Sequence, residues 1–418
     1  MRKFLIIAIA LVTLQARADE VATSRLLQTE ALRAYKAKNG ALFLEKIAAA
    51  AALRPQHPTL LYQEAMAYAL NGRNDDALRI LERVAAMGFV YEPDKEDEFA
   101  SLRGLPRYAA IASRFALNAR PIGAPSQALG IDETGIIAEG MAYDSATGRF
   151  FVSSVRKKAI FVFDGNGAVR PFASDLRWGA MGMAVDPRRR VLWVATSAMP
   201  QNDGFREEDR DHAGLLKIDL RTGRVLATLS AGDEARHLFG DVVVSANGRV
   251  FVSDSASPTI YEVVKGSLRP FLRGPFVSMQ GLALTSDGRK MYVSDYSKGL
   301  YVVDMPTLEL APLAVPDDVS LLGVDGLYAA GPHMLIGTQN GTNPNRIIRI
   351  RLFRDGRRVQ GVDTLAANNN TMADPTLGVV ARKAFYFNGN AQWDAWDEKG
   401  ALQSGAKLEP LRVLRVRY

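Results

Sequence analysis

The stretch Ile137-Ala-Glu-Gly-Met-Ala-Tyr-Asp-Ser-Ala-Thr-Gly-Arg-Phe-Phe-Val-Ser-Ser-Val-Arg-Lys-Lys-Ala-Ile-Phe-Val-Phe-Asp164 holds three short apolar runs. Two turns built from Asp, Ser, Thr, Gly and Lys separate them. Runs of this length, rich in Phe, Val and Ile and bounded by turn residues, predict β-strands. A carboxylate, Glu139, stands before Gly140 at the start of the first run, where burial is expected.

The pattern returns. "MGMAVDPRRRVLWVATS", "GDVVVSANGRVFVSDS", "QGLALTSDGRKMYVSD", "DGLYAAGPHMLIGTQ" and "LGVVARKAFYFNG" each pair an apolar strand with a turn and a second strand ending in Ser, Thr, Asp or Asn. A third strand follows each copy, from "GLLKIDL" to the final "RVLRVRY". Six copies at this spacing predict the blades of a β-propeller, with strands apolar on both faces because each blade packs between two others. A sandwich would alternate more cleanly. Residues Gln127 to Thr134 are expected to add an outer strand to the last blade and so close the ring.

Upstream the period changes. Between residues 21 and 120 the apolar spacing is helical and alanine is abundant. "TLLYQEAMAYALNGRNDDALRILERVAAMG", with Ala65, Tyr68, Ala77 and Leu81, resembles a tetratricopeptide repeat, and "ALRAYKAKNGALFLEKIAAAAALRP" resembles a degenerate earlier copy. A Gly- and Pro-containing linker over 121–130 leads to the propeller over 131–418. The predicted fold class is therefore multidomain: an α-helical tetratricopeptide-like region before an all-β six-bladed propeller.

At the amino end, Arg2 and Lys3 precede "FLIIAIALVTL", and Ala16-Arg17-Ala18 offers small residues at cleavage positions. This predicts a signal peptide over residues 1–18 and a periplasmic or secreted protein, with no membrane association after cleavage. Of the net charge of +7, three units come from Arg2, Lys3 and Arg17, leaving +4 without a basic block. Nucleic acid is therefore not the expected partner. With no cysteine in the chain, thiolate nucleophiles and cysteine-ligated metals are excluded.

Blade starts in a propeller line the central channel. Here they read Glu139-Gly140, Met181-Gly182, Gly240-Asp241, Gln280-Gly281, Asp325-Gly326 and Leu377-Gly378. Oxygen donors from Glu139, Gln280, Asp325 and Asp241 suit a hard divalent cation, Ca²⁺ or Mg²⁺, and there is no histidine cluster for zinc. "TQNGTNPNRIIRI" and "YFNGNAQWDAW" add Asn340, Asn388 and Gln392 as ligand-binding candidates, and His237 stands four residues before Asp241.

These motifs resemble the family of senescence marker protein, gluconolactonase and luciferin-regenerating enzyme. "EGM" and "DGL" keep the family's Glu-Gly and Asp-Gly; "FGD" has Gly240 and "QGL" has Gln280 where the family has asparagine. The resemblance implies a metal-dependent lactonase with Ca²⁺ the expected metal. It places Glu139, Gln280 and Asp325 on the metal, Asp241 and Asp325 in catalysis, and a small neutral or lactone-like ligand in the channel. The two altered asparagine positions favour the other class, a non-catalytic binding propeller whose helical region grips a protein partner.

Overall fold

The computed structural model describes residues 20–164 and 167–418. The expected signal peptide lies outside the described residues. The chain opens with helices: α1 over residues 20–36, α2 (Gly40–Leu53), α3 (Pro58–Leu70), α4 (Asn74–Ala86) and α5 (Pro106–Asn118). Their ends carry local signals. Asn39 accepts the Leu42 N–H ahead of α2, and Pro58 at the first position of α3 needs no donor there. The helices share one core, in which Phe43, Ile47, Leu61, Leu81, Phe99 and Phe115 are buried.

Six four-stranded antiparallel sheets follow. β1 (Ser126–Ile131) comes first. Blade one is β2 (Ala138–Asp144), β3 (Arg149–Ser154), β4 (Ala159–Phe163) and β5 (Val169–Ala173). Blade two is β6 (Gly179–Asp186), β7 (Val191–Ser197), β8 (Ala213–Asp219) and β9 (Val225–Leu229). Blade three is β10 (Phe239–Val244), β11 (Val250–Asp254), β12 (Thr259–Val264) and β13 (Ser267–Arg273). Blade four is β14 (Met279–Leu284), β15 (Lys290–Asp295), β16 (Gly299–Asp304) and β17 (Glu309–Pro312). Blade five is β18 (Val324–Gly331), β19 (Met334–Gln339), β20 (Arg346–Leu352) and β21 (Val359–Ala367). Blade six is β22 (Gly378–Ala381), β23 (Ala384–Asn388) and β24 (Leu411–Val416), with β1 as its outer strand. The ring is thus closed by β1 pairing with β24, Ile131 opposite Leu411, as the sequence predicts.

The strands are apolar on both sides because successive side chains point to opposite faces and both faces meet a blade. In β3, Phe150 and Val152 pack on blade six, while Phe151 packs on blade two. In β11, Val252 joins blade two and Phe251 joins blade four. Burying each large apolar side chain in this way is worth about 1.5–3 kcal/mol.

The polar ends of the second strands bind one blade to the next. Ser153 Oγ accepts the Gly140 N–H at 2.7 Å and donates to Met181 O on blade two at 2.7 Å. Ser197 Oγ donates to Phe239 O on blade three at 3.1 Å. Asn388 donates to Glu139 O at 2.9 Å, joining blade six to blade one. The hydroxyls and amides that end these strands therefore satisfy backbone groups that no ladder reaches.

The repeated glycine of the blade starts has a packing reason. A Cβ on Gly140 would lie 2.3 Å from Met181 O, and one on Gly281 would lie 2.5 Å from Asp325 O. Only glycine lets neighbouring inner strands approach so closely. Gly281→Ala must part β14 from β18, at a cost of about 1–3 kcal/mol, the usual range for overpacking. Urea denaturation measures this as a lower midpoint with an unchanged slope; an unchanged midpoint would show that the inner strands yield freely.

The helical region is held against blades four and five. Arg54 donates to Ser297 O at 2.8 Å, and Val90 and Asn343 exchange hydrogen bonds at 2.9 and 3.2 Å. Asn368 donates to Asn118 O and Arg120 O beyond the end of α5. A further contact is Arg346, 3% exposed, at the start of β20. Its guanidinium donates to Gln339 Oε1 at 2.7 Å and Met87 O at 3.0 Å, and lies 4.4 Å from the Phe89 ring centre.

Candidate functional site

In five blades the inner strand slips register where it carries the blade-start dipeptide. The shifts fall between Ala138 and Met141, Ala180 and Met183, Phe239 and Val242, Met279 and Leu282, and Val324 and Leu327. Such a bulge frees two residues from the ladder and re-aims their side chains. This answers why Glu139 can stand in an apolar strand: its dipeptide is outside the regular pleat.

Glu139 is buried, and its Oε2 accepts the Trp393 indole N–H at 2.9 Å. Asp325 accepts from Asn340 Nδ2 at 2.9 Å, and the same amide nitrogen donates to Pro375 O while its oxygen accepts from Tyr296 Oη at 3.1 Å. Asp374, in the approach to β22, accepts the Trp393 backbone N–H at 2.8 Å. Burial pushes the Glu139 carboxyl well above the usual carboxylate range, and the charges of Asp325, Asp374 and Asp241 add to that, against the Trp393 hydrogen bond. Burial likewise raises Asp325, opposed by Asn340 and aided by the charge of Asp374. Asp374 is raised by burial, with Trp393 opposing and Asp394 adding. Tyr296 is raised by burial first, then by the charges of Asp325, Asp374, Asp394 and Glu139.

Among the described residues no arginine or lysine forms an ion pair with this group. Glu139, Asp241, Asp325 and Asp374 enter no ion pair among the described residues, and no cation is among the causes that move them. Concentrated negative charge without a counter-charge in a buried setting is unfavourable unless protons or a cation neutralise it. Among the described residues no donor reaches Glu139 Oε1 or Asp325 Oδ1. Gln280 is half-buried, and its amide nitrogen makes only a long 3.4 Å contact to Ser278 Oγ. No three Asp, Glu or His side chains among the described residues are gathered tightly enough to hold a metal alone. The side chains here that could offer oxygens to a hard cation are Glu139, Asp325 and Gln280.

The other expected site residues have different work. Asp241 is clamped at both oxygens by backbone N–H groups, Val242 at 2.8 Å and Leu282 of blade four at 2.9 Å. Burial nevertheless pushes it up to about 7, against those two hydrogen bonds and with help from the charge of Asp325. It faces a cavity of about 280 Å³ along the channel, otherwise lined by apolar side chains such as Met141, Leu282 and Leu377. Asn388, fully buried, donates to the Glu139 carbonyl, and its amide oxygen has no partner among the described residues. Gln392 is corrected too: it donates to Lys407 O at 3.0 Å and accepts from Glu409 N at 3.0 Å, so its amide fastens the loop before β24.

His237 also departs from expectation. Its Nδ1 pairs with Asp254 Oδ2 at 2.6 Å and its Nε2 with Asp233 Oδ1 at 2.7 Å, so no ring nitrogen is left for a substrate. Burial alone lowers its pKa, but the two carboxylates outweigh it and the net shift is upward. A raised folded pKa stabilises fully below the unfolded value of about 6.5, and the contribution fades as pH rises through the folded value. His237→Gln is therefore expected to lower the thermal midpoint at pH 6 by more than at pH 9. Equal losses at both values would deny the charged bridge.

No family model matches the chain, and no curated protein matches it. Solved structures do. A luciferin-regenerating enzyme is 14% identical, with a TM-score of 0.49 over 72% of this chain and 96% of that one. A gluconolactonase from Xanthomonas campestris is 14% identical, with a TM-score of 0.48 over 71% and 99%. The calcium-binding protein regucalcin from Agrobacterium tumefaciens is 14% identical, with a TM-score of 0.47 over 70% and 95%. The propeller here rests on its own strand order, and identities this low say nothing of chemistry.

Asp374 and Tyr296, which sequence reasoning did not single out, adjoin the expected residues Glu139, Asp325 and Asn340. Both sit in connections, Asp374 three residues before Leu377-Gly378 and Tyr296 directly after β15. The nearness of Asp374 to a blade start was the available signal.

Proposed function

We propose that the chain is a divalent-metal-dependent hydrolase of a lactone or related ester, in the manner of the senescence marker protein and gluconolactonase family, working in the periplasm or outside the cell. The observation that carries this reading is the set of buried carboxylates without a cationic partner at the mouth of the channel. Glu139, Asp325 and Gln280 would hold the metal, with Ca²⁺ first among candidates. Bound there, a divalent ion supplies Lewis acidity toward a carbonyl oxygen. The residues supply the rest. Asp325 Oδ1, left open by Asn340, accepts the proton of a water whose oxygen attacks the ester carbonyl carbon. The carbon–oxygen ester bond breaks, and the proton taken up by Asp325 passes to the leaving oxygen. Asn340 fixes the Asp325 carboxylate, and Tyr296 fixes Asn340. Asp241, tied across blades three and four, positions the strands beneath.

A panel of aldonolactones, assayed with Ca²⁺, Mg²⁺ and Mn²⁺ after exhaustive dialysis against chelator, tests the reading. Metal-dependent turnover that Asp325→Asn abolishes is the expected result. Retained metal with no turnover on any ester would favour a second reading, a non-catalytic binding propeller. That reading has its own support in the firm docking of the helical region through Arg346, Asn343 and Asn368, which makes the two parts one rigid surface for a partner. No described helix is long and apolar enough to cross a membrane.

A further inference from the structure

Between the helical region and blades four and five lies a cleft of about 630 Å³. Its floor includes Tyr296 and Asn340, the two residues that connect to Asp325. Its walls include Arg25, Arg54, His57 and Tyr91 from the helices. The cleft therefore sets the residues that hold Asp325 opposite a basic wall that the propeller itself does not contain.

The two arginines have no acid of their own. Arg25 Nη2 donates to Ser297 Oγ at 3.2 Å and Arg54 Nη2 to Ser297 O at 2.8 Å, and neither enters an ion pair among the described residues. The acid that Arg54 senses is Asp295, whose oxygens are taken by the backbone N–H groups of Val277, Ser278, Ser297 and Lys298. Burial and the neighbouring charge of Arg25 pull the Arg54 guanidinium down to about 10, so two like charges share this wall. His57 is held neutral by burial and by both arginines. It sits at the start of α3, whose amino-terminal end adds partial positive charge on the same side. Two guanidinium groups facing a cleft, short of anions, are the arrangement that recognises carboxylate or phosphate.

We propose that Arg25 and Arg54 bind the anionic group of the substrate, so that the molecule taken by this site is an ester or lactone bearing a carboxylate or phosphate, its reactive end lying over Tyr296 and Asn340 toward Asp325. This rests on the hydrolase reading for the reactive end, whereas the anion site stands on its own geometry. The helical region then contributes half of the binding site, and specificity for charge belongs to it and not to the blades.

The test measures anion binding without turnover. The full chain, freed of metal, is titrated calorimetrically at low ionic strength with succinate, with inorganic phosphate and with dimethyl succinate. The expected result is saturable binding of succinate or phosphate, no binding of the neutral diester, and a loss of at least tenfold in affinity in Arg25→Gln and in Arg54→Gln. Arg25 is exposed, so its variant is expected to fold even if Arg54→Gln loosens the helical region. Preference for succinate assigns a carboxylated substrate; preference for phosphate assigns a phosphorylated one. Glu139→Gln is expected to keep the anion affinity, which separates this result from any failure of metal binding or hydrolysis. Absence of binding by both anions, equal binding of the diester, or unchanged affinity in Arg25→Gln would overturn the proposal.

Discussion

Glu139→Gln is expected to change the stability of the protein in opposite directions with and without calcium. In chelator the wild-type chain buries Glu139 beside Asp325, Asp374 and Asp241 with no cation to offset them. Glutamine removes the ionisable group that this surrounding disfavours, and its amide oxygen still accepts the Trp393 indole N–H that now ends on Oε2. Relief of about 1–2 kcal/mol is reasonable for one buried like-charge contact, a rise of about 2–4 °C in the thermal midpoint of a chain this large. In calcium the order reverses. A site filled at a hundred times its dissociation constant stabilises the wild type by about 2.7 kcal/mol, and the variant, lacking a charged ligand, loses most of that. Paired thermal scans in chelator and in millimolar calcium read both signs. A variant destabilised equally in the two buffers would mean that Glu139 is only a packing residue and that the mouth holds no ion.

Arg346→Met is expected to loosen the helical region from the propeller. The guanidinium is buried with no acid beside it, and burial pulls its pKa down to about 10. Its value lies in hydrogen bonds: Gln339 Oε1, Met87 O and Gly88 O all accept from it, and Phe89 stacks on it. Methionine fills similar volume but leaves those acceptors unsatisfied in a closed interface. Hydrogen bonds to charged groups are worth about 1.5–3 kcal/mol each, and an orphaned buried acceptor costs about 1–3 kcal/mol. The desolvation relieved by losing the charge offsets part of this, so about 3 kcal/mol is the expected net loss. It should show as an early unfolding step confined to the helices, with protease cleavage near residues 119–125 before the blades are cut. A single transition at the wild-type midpoint would show that Val90, Asn343 and Asn368 hold the interface unaided.

The propeller was legible because its signal is repeated. Each blade states the same strand, turn and strand grammar, so an ambiguity in one copy is resolved by the others. Even the closing strand was expected, over Gln127 to Thr134, and the strand that forms is Ser126–Ile131. The site was legible only where the repeat itself carried it. Glu139, Gln280 and Asp325 share one blade position, and the bulge there makes them a set. Asp241 occupies the second place of its dipeptide and is caught by Leu282 N across the blade gap, a contact that no spacing predicts. His237 and Gln392 were misjudged for a related reason. Polar side chains at strand ends first satisfy the nearest groups, here Asp254 and Asp233 for one and Lys407 O and Glu409 N for the other. Arg25 and Arg54 reach Ser297 from more than two hundred residues away, and a linear pattern holds no trace of that meeting.

The last blade draws one strand from before the first blade and three from the end of the chain. During synthesis β1 must therefore wait, unpaired, while five blades are made, because its partner β24 emerges only after them. Contacts between such distant segments form slowly. The circle is locked by a strand that follows the other five blades in the chain, so the arrival of β24 decides when an open crescent of sheets becomes a wheel.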